Sequence, residues 1–121
     1  MANTHFSGPV ISTAGFTGDL TGLALQGGSA TAITTSGAIP ITTLFSIVGR
    51  DGTAEVALTL ANGAAGQMKI IKRNDGTKAV VVTPANFKNG TTLTFDGNQE
   101  TAVLVSDGSS WHSVYVTATV A

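Results

Sequence analysis

Residues 58–71 read LTLANGAAGQMKII and have the pattern of two half-buried β-strands joined by a loop. Thr59 lies between two leucines and Lys69 between two apolar residues, so polar and apolar side chains alternate at both ends. Asn62 and Gly63 tolerate positive φ angles, which favours a tight reversal of the chain. The stretch therefore predicts a β-hairpin, and it contains no catalytic, metal-binding or phosphate-binding pattern.

Similar strand and turn patterns alternate from Ile39 to the end of the chain. Short runs rich in β-branched and aromatic residues are separated by Gly-containing turns, and no stretch suits a long helix. The turn pairs that follow the first loop are Asp75-Gly76, Asn89-Gly90, Asp96-Gly97 and Asp107-Gly108. Residues 39–121 are therefore predicted to form an all-β domain, a small antiparallel β-sandwich or barrel of about seven to eight strands.

Residues 1–38 differ in composition from the rest of the chain. Asp19 is the only acidic or basic residue before Arg50, counting His as neutral, and Gly, Thr, Ser and Ala dominate. Such a segment cannot bury a core by itself, so we predict an extended N-terminal arm and linker whose apolar anchors contact a neighbouring protein. A flexible linker is the alternative. The candidate anchors are Phe6, Val10, Phe16, Leu20 and Leu23.

The charge content restricts the partners of the chain. Its formal net charge is -1, only 11% of its residues are charged and 42% are hydrophobic. We expect neither nucleic acid nor a membrane as a partner, because so small a net charge gives no long-range attraction and no run approaches the roughly 20 apolar residues of a membrane span. Much of the surface must be uncharged, or buried against other subunits. The N-terminus has no secretory signal pattern, so we expect synthesis in a cytoplasm.

Residues that often perform catalysis or bind metals are sparse. The chain has no cysteine, and His5 and His112 are too far apart in sequence to show metal-ligand spacing. Two acidic pairs flank turns, where solvated side chains are common. They are Asp51 with Glu55 and Asp96 with Glu100. We therefore predict no catalytic residues, no cofactor, no metal site and no enzymatic activity.

Two features suggest binding surfaces. Lys69, Lys72, Arg73 and Lys78 cluster around one predicted hairpin and could form a basic ridge, although no aromatic residue accompanies them. Trp111, the sole tryptophan, follows a turn. Its ring either caps one end of the core or forms an exposed platform for a carbohydrate.

Two strands have apolar side chains on both faces, whereas a sandwich core can cover only one face of each. The second face is predicted to meet another subunit, and a closed homotrimer buries such a surface without forming filaments. One of the two strands should line the three-fold interface. The candidates are Leu44, Phe45, Ile47, Val80, Val81 and Val82.

Several segments also form a recognisable pattern when taken together. They are Ala57–Gly63, Gly66–Ile71, Val80–Pro84, Leu93–Phe95 and Val103–His112. They resemble a small β-domain that recurs in virion proteins of tailed bacteriophages. The opening Met1–Val10, with Gly15–Gly18, resembles the start of phage head decoration proteins, also called capsid cement proteins.

The resemblance implies a structural virion protein that binds the outer capsid surface and stabilises the head. Its partners would be the major capsid protein and further copies of itself, and it would be made in the host cytoplasm. Related domains also occur in phage fibres, so a fibre or receptor-binding module that recognises a host glycan is the alternative. Fibres often carry many Thr-Gly repeats and this chain has scarcely two, which favours a short capsid-bound arm.

Overall fold

A computed structural model of the chain describes residues 31–50 and 54–121. All ten regular elements there are β-strands. Within these ranges no helix is long and apolar enough to cross a membrane. The predicted all-β class is confirmed. The strands are β1 (Thr31–Ile33), β2 (Gly37–Ala38), β3 (Phe45–Arg50), β4 (Val56–Leu60), β5 (Met68–Gly76), β6 (Val80–Pro84), β7 (Leu93–Phe95), β8 (Thr101–Ser106), β9 (Trp111–Val116) and β10 (Thr119–Val120).

The strands form two mixed five-stranded sheets. Sheet I has the order β1-β3-β5-β8-β9, and sheet II has the order β10-β7-β6-β4-β2. From β1 to β6 the chain alternates between the sheets, and each strand from β3 to β6 pairs in parallel with the strand two positions earlier. From β7 onward the pairs are antiparallel. The predicted antiparallel arrangement is therefore wrong for the first six strands.

The predicted hairpin at residues 58–71 is a connection between the two sheets. Leu60 ends β4 in sheet II and Met68 begins β5 in sheet I. Gly66 has a φ of 81°, so the expected permissive turn residue is present. Turn residues reverse the chain locally but do not choose its hydrogen-bonding partner. The two strands bury their apolar faces against each other across the core instead of pairing side by side.

The hydrophobic core lies between the sheets. In β4 the side chains of Val56, Leu58 and Leu60 are at most 1% exposed, whereas Ala57 and Thr59 face solvent. This alternation follows from the pleat of the strand, and it was expected from the sequence. β6, β7 and β8 bury every second residue in the same way, and the residues between them face the outside of the sandwich.

The folded domain includes residues that the sequence assigned to the linker. β1 pairs with β3 and β2 pairs with β4, both at the edges of the sheets, and Ile33 packs against the core. These strands have only three and two residues, and small polar residues surround them, so their sequence looks like a linker. The remaining strands, β3 to β10, number eight, which agrees with the count predicted for residues 39–121.

Candidate interaction surface

The outer side of sheet I carries a row of large apolar side chains. The pairing register places Phe45, Ile70, Val103 and Tyr115 next to one another across β3, β5, β8 and β9. Neighbouring residues of these strands alternate inward, because Ser46, Ile71 and Leu104 are buried. Side chains in directly opposite positions lie within contact distance across a sheet. The row therefore forms a continuous apolar stripe over four strands.

Two further rows flank this stripe. One contains Met68, Val105 and His112, and the other contains Ala32, Ile47, Lys72 and Thr101. We call the central stripe and its two flanking rows the apolar face. Lys72 and His112 supply the basic groups of the apolar face, both in flanking rows, and none of its residues has a carboxylate. Its centre is thus without charge.

The outer side of sheet I is most exposed at β9, one of its edge strands. Tyr115 is 58% exposed and Val114 is 67% exposed. Two consecutive residues can both be exposed because the register shifts there: Tyr115 pairs with Val103, and Ser113 pairs with Leu104. Val114 is the extra residue of this β-bulge. The bulge directs a second large apolar side chain into solvent.

The outer side of sheet II has a different composition. Its longest row contains Ala57, Val81, Thr94 and Thr119, and the next row includes Thr59 and Thr83. Threonine occupies most of these positions. This outer side presents hydroxyl groups where sheet I presents aromatic and aliphatic side chains.

The candidate interface residues of β6 are divided between the core and the surface. Val80 and Val82 are 0% exposed and belong to the core, so their assignment to an interface between subunits is wrong. Val81 is half-buried and faces outward from sheet II. Three consecutive valines show no alternation in the sequence, but the pleat of the strand places the first and third of them inside.

The candidates near β3 lie on or beside the apolar face. Phe45 and Ile47 are half-buried and face outward, and Leu44, also half-buried, immediately precedes the strand. The sequence did not single out Ile70, Val103 or Tyr115, their neighbours on other strands. The arm anchors Phe6, Val10, Phe16, Leu20 and Leu23 lie outside the described residues.

Trp111 lies in the core and does not form a surface platform. Its side chain is 0% exposed, and its indole Nε1 donates a hydrogen bond to the backbone oxygen of Ala61 at 2.8 Å. The expectation that the ring caps the core is confirmed, and the expectation of an exposed aromatic at this position is wrong. A buried tryptophan needs a partner for its N–H, and the loop after β4 supplies one. Tyr115 is the exposed aromatic residue of β9.

The basic ridge considered from the sequence does not form, because two of its members, Lys69 and Arg73, are buried on the inner side of β5. Lys69 is 1% exposed, and its Nζ donates to the backbone oxygens of Pro40 and Thr43, each at 2.7 Å. It also donates to the Thr43 hydroxyl at 3.0 Å. Burial lowers the pKa of Lys69 to about 8. This amino group joins the segment between β2 and β3 to the core.

Arg73, four residues further along β5, also uses its buried cation to bind backbone carbonyl groups. It is 1% exposed, and its guanidinium donates to the backbone oxygens of Phe95, Gly76 and Lys78 at 3.1, 2.7 and 2.9 Å. Gly76 and Phe95 are the last residues of β5 and β7, and Lys78 lies between β5 and β6. These bonds satisfy Nη1 and Nη2, whereas the buried Nε has no hydrogen-bond partner. Neither Lys69 nor Arg73 is available to a phosphate backbone at the surface.

The closest approach of two ionisable side chains described by the structure joins Asp107 and His112. His112 Nε2 in β9 lies 2.7 Å from Oδ2 of Asp107 in the loop before that strand, and both side chains are exposed. Asp107 Oδ1 accepts hydrogen bonds from the backbone N–H groups of Ser109 and Ser110. The bond to His112 and these amides hold the pKa of Asp107 well below its usual range. The Ser109 hydroxyl donates to the carboxylate and not to the imidazole, so His112 does not activate this serine.

A partly open cavity of about 200 Å³ lies beside the apolar face, where Ala32, Ile47, Asn74 and Asp75 contribute to its lining. It is smaller than the roughly 300–1,000 Å³ of typical ligand pockets. Among residues 31–50 and 54–121, no group of three or more His, Cys, Asp or Glu side chains could hold a metal ion. The apolar face is therefore the strongest candidate for a functional surface.

Comparisons of the chain with protein-family models, curated proteins and solved structures found no match.

Proposed function

We propose that the chain is a structural virion protein that binds the outer surface of a bacteriophage capsid and stabilises the head. The observation that carries this proposal is the apolar face, because surfaces of this kind serve protein contacts far more often than they face water. The resemblance of the sequence to phage decoration proteins supplies the partner, the major capsid protein. The small net charge of -1 and the buried positions of Lys69 and Arg73 agree with a protein partner rather than nucleic acid.

The mechanism follows from linked equilibria. A protein that binds the assembled lattice but not free capsid subunits stabilises the lattice by mass action. Each bound copy that touches two neighbouring capsomers adds contacts that must break before those capsomers separate. Outward pressure from a packaged genome then acts against the capsid contacts and the cement contacts together. The arm anchors would extend these contacts beyond the β-domain.

The proposal is tested by adding the purified chain to empty mature heads from which the protein is missing. We expect saturable binding to expanded heads, no binding to free capsid subunits, and a higher temperature of head disruption once the sites are filled. A variant without residues 1–28 should bind more weakly, because it lacks all five arm anchors. Heads that remain bare at saturating protein would contradict the proposal.

A fibre or receptor-binding module remains the second candidate, and the exposed ring of Tyr115 is the observation that favours it. The buried position of Trp111 removes the aromatic platform first considered for this role. Binding of the isolated chain to a glycan array, lost in Tyr115→Ala, together with failure to bind bare heads, would support the fibre function over the cement function.

A further inference from the structure

We infer that Asn89 is a site of spontaneous deamidation in the folded protein, where the backbone nitrogen of Gly90 attacks the side-chain amide. The sequence contains two Asn-Gly pairs, Asn62-Gly63 and Asn89-Gly90. Glycine has no side chain to shield its nitrogen, so an Asn-Gly pair favours this reaction. The structure distinguishes the two pairs, and the inference does not depend on the capsid role.

The reaction needs water and no enzyme. The Gly90 nitrogen gives its proton to solvent and forms a bond to Asn89 Cγ, while the bond from Cγ to Nδ2 breaks and ammonia leaves. Water then opens the resulting five-membered succinimide at either carbonyl group, which leaves aspartate or isoaspartate at position 89. One water is taken up and one ammonia is released. Both products add one negative charge to a chain whose formal net charge is -1.

The amide of Asn89 is exposed and activated. Asn89 lies in the loop between β6 and β7, and its Oδ1 accepts a hydrogen bond from the backbone N–H of Ser113 at 2.9 Å. A donor at this oxygen stabilises the negative charge that develops there during the attack. Among the described residues, neither Asn89 Nδ2 nor the N–H of Gly90 has a hydrogen-bond partner. The leaving group and the nucleophile are therefore both free to react.

The groups packed against Gly90 lie at the surface. A Cβ at this position would lie 2.6 Å from the backbone oxygen of Ala121 and 2.8 Å from Val120 Cγ1. Val120 is 39% exposed and Ala121 is exposed, so both can move without opening the core. The same oxygen of Ala121 accepts from the N–H groups of Thr91 and Thr92, but these bonds involve no atom of the peptide that must rotate.

The core holds the other Asn-Gly pair in place. Gly63 is buried, and a Cβ there would lie 2.9 Å from Ser106 and from Trp111, which are 2% and 0% exposed. The backbone on both sides of Asn62 is bonded to the same two residues. Trp111 Nε1 donates to the oxygen of Ala61 at 2.8 Å, and Ser106 Oγ donates to the oxygen of Gly63 at 3.0 Å. Ring closure at Asn62 therefore requires local unfolding.

The first test compares the two pairs within one unmodified chain, folded in buffer and unfolded in guanidinium chloride at the same alkaline pH. Peptide mapping by mass spectrometry follows the conversion of each asparagine and separates aspartate from isoaspartate. In the unfolded chain we expect rates within about twofold of each other, because no tertiary contact distinguishes the pairs. In the folded protein Asn89 should react at least about tenfold faster than Asn62.

The incubation continues until half of each pair has reacted in the unfolded chain, so the reference reaction sets the time scale. Equal rates in the folded protein, or a faster reaction at Asn62, would overturn the inference. An Asn89 that stays intact in the folded protein over this time would also overturn it.

The second test uses variants with the longer amide side chain of glutamine, which would have to close a less favourable six-membered ring. Isoelectric focusing of folded protein should show an acidic form that accumulates in wild type and in Asn62→Gln but not in Asn89→Gln. Asn89→Asp should focus with the acidic form from the start, and it keeps an oxygen for the N–H of Ser113. Circular dichroism checks that each variant folds. An acidic form that accumulates equally in Asn89→Gln would assign the reaction to another residue.

Discussion

The two sheets have similar backbones but different outer sides. Val103 in sheet I and Thr94 in sheet II both occupy outward positions in paired strands. Valine and threonine have nearly the same shape and both favour strands, so strand formation does not explain which of them is present. The difference lies in the surroundings that each outer side suits. Hydroxyl groups suit contact with water, whereas the aliphatic and aromatic groups of sheet I suit contact with protein.

The largest effect is expected on the free energy of unfolding, when a residue on the inner side of β6 is compared with its neighbour on the outer side. Val82→Ala removes two methyl groups from a side chain that is 0% exposed and should lower the free energy of unfolding by roughly 2 kcal/mol. Val81→Ala, on the outer side of β6, should lower it by less than about 1 kcal/mol. Urea denaturation of both variants measures the difference. Equal losses would show that Val81 is packed as tightly as the core and that sheet II has no solvent-facing side at this position.

A second prediction compares two lysines of β5, Lys69 on the inner side and Lys72 on the apolar face. The pKa of Lys69 is about 8 in the folded protein, whereas an unfolded lysine titrates near 10.4. Between these values the unfolded chain binds more protons than the folded chain, so the contribution of Lys69 makes stability rise with pH. From pH 8 to 10 this contribution should amount to about 1 to 2 kcal/mol.

The measurement is urea denaturation of wild type, Lys69→Met and Lys72→Met at several pH values. Lys69→Met should be less stable overall, because it leaves the carbonyl oxygens of Pro40 and Thr43 without their donor. It should also lose the rise between pH 8 and 10, whereas Lys72→Met should keep the wild-type profile. A rise that persists in Lys69→Met would assign the pH dependence to another group.

A third prediction concerns salt. The sequence predicts a homotrimer held by apolar contacts. Because the centre of the apolar face has no charge, the dissociation concentration of such a trimer should change by less than about twofold between 0.1 and 1 M NaCl, where the screening length falls from about 10 to 3 Å. Sedimentation at both salt concentrations measures it. A trimer that separates into monomers at 1 M NaCl would show that ion pairs, and not apolar contacts, hold the copies together.

The smallest effect is expected at Asp107. Its hydrogen bonds to His112 and to two backbone amides lower the pKa of the carboxyl in the folded state, so they stabilise the fold above the unfolded value near 3.9. This stabilisation is lost progressively as the pH falls below that value. Asp107→Asn should therefore have a slightly lower melting temperature than wild type at pH 7, and the difference should shrink below about pH 4. A difference that is constant from pH 7 to 3 would exclude the carboxylate as its source.

The sequence predicted local burial well because the pleat of a strand has a fixed period. The alternation around Thr59 predicted that Leu58 and Leu60 share one face, and both are buried in the core. It did not predict the pairing of these strands. A glycine-containing loop such as residues 61–67 permits a hairpin or a crossing to the other sheet equally well, and the choice depends on which apolar surfaces remain to be covered.

The apolar face was only half predictable for a similar reason. Phe45 and Ile47 were recognised because apolar residues occur on both faces of their strand. Ile70 and Val103 become neighbours of Phe45 only through the parallel pairing of β3 with β5 and the antiparallel pairing of β5 with β8. The exposure of Val114 next to Tyr115 depends on a β-bulge, and no residue type in β9 predicts a bulge from the sequence.

The alternation of β1 to β6 between the two sheets has a consequence for the order of folding. No strand of this group can pair with the next one along the chain, since every neighbour in a sheet lies two strands away and a strand of the opposite sheet intervenes. Only β6 with β7 and β8 with β9 are both consecutive and paired. Loop closure over long separations is slow, so we expect the C-terminal strands to organise first and the N-terminal strands to wind onto them. On a ribosome, where the N-terminal strands emerge before the surface that receives them, most of the fold would wait for the last third of the chain to be made.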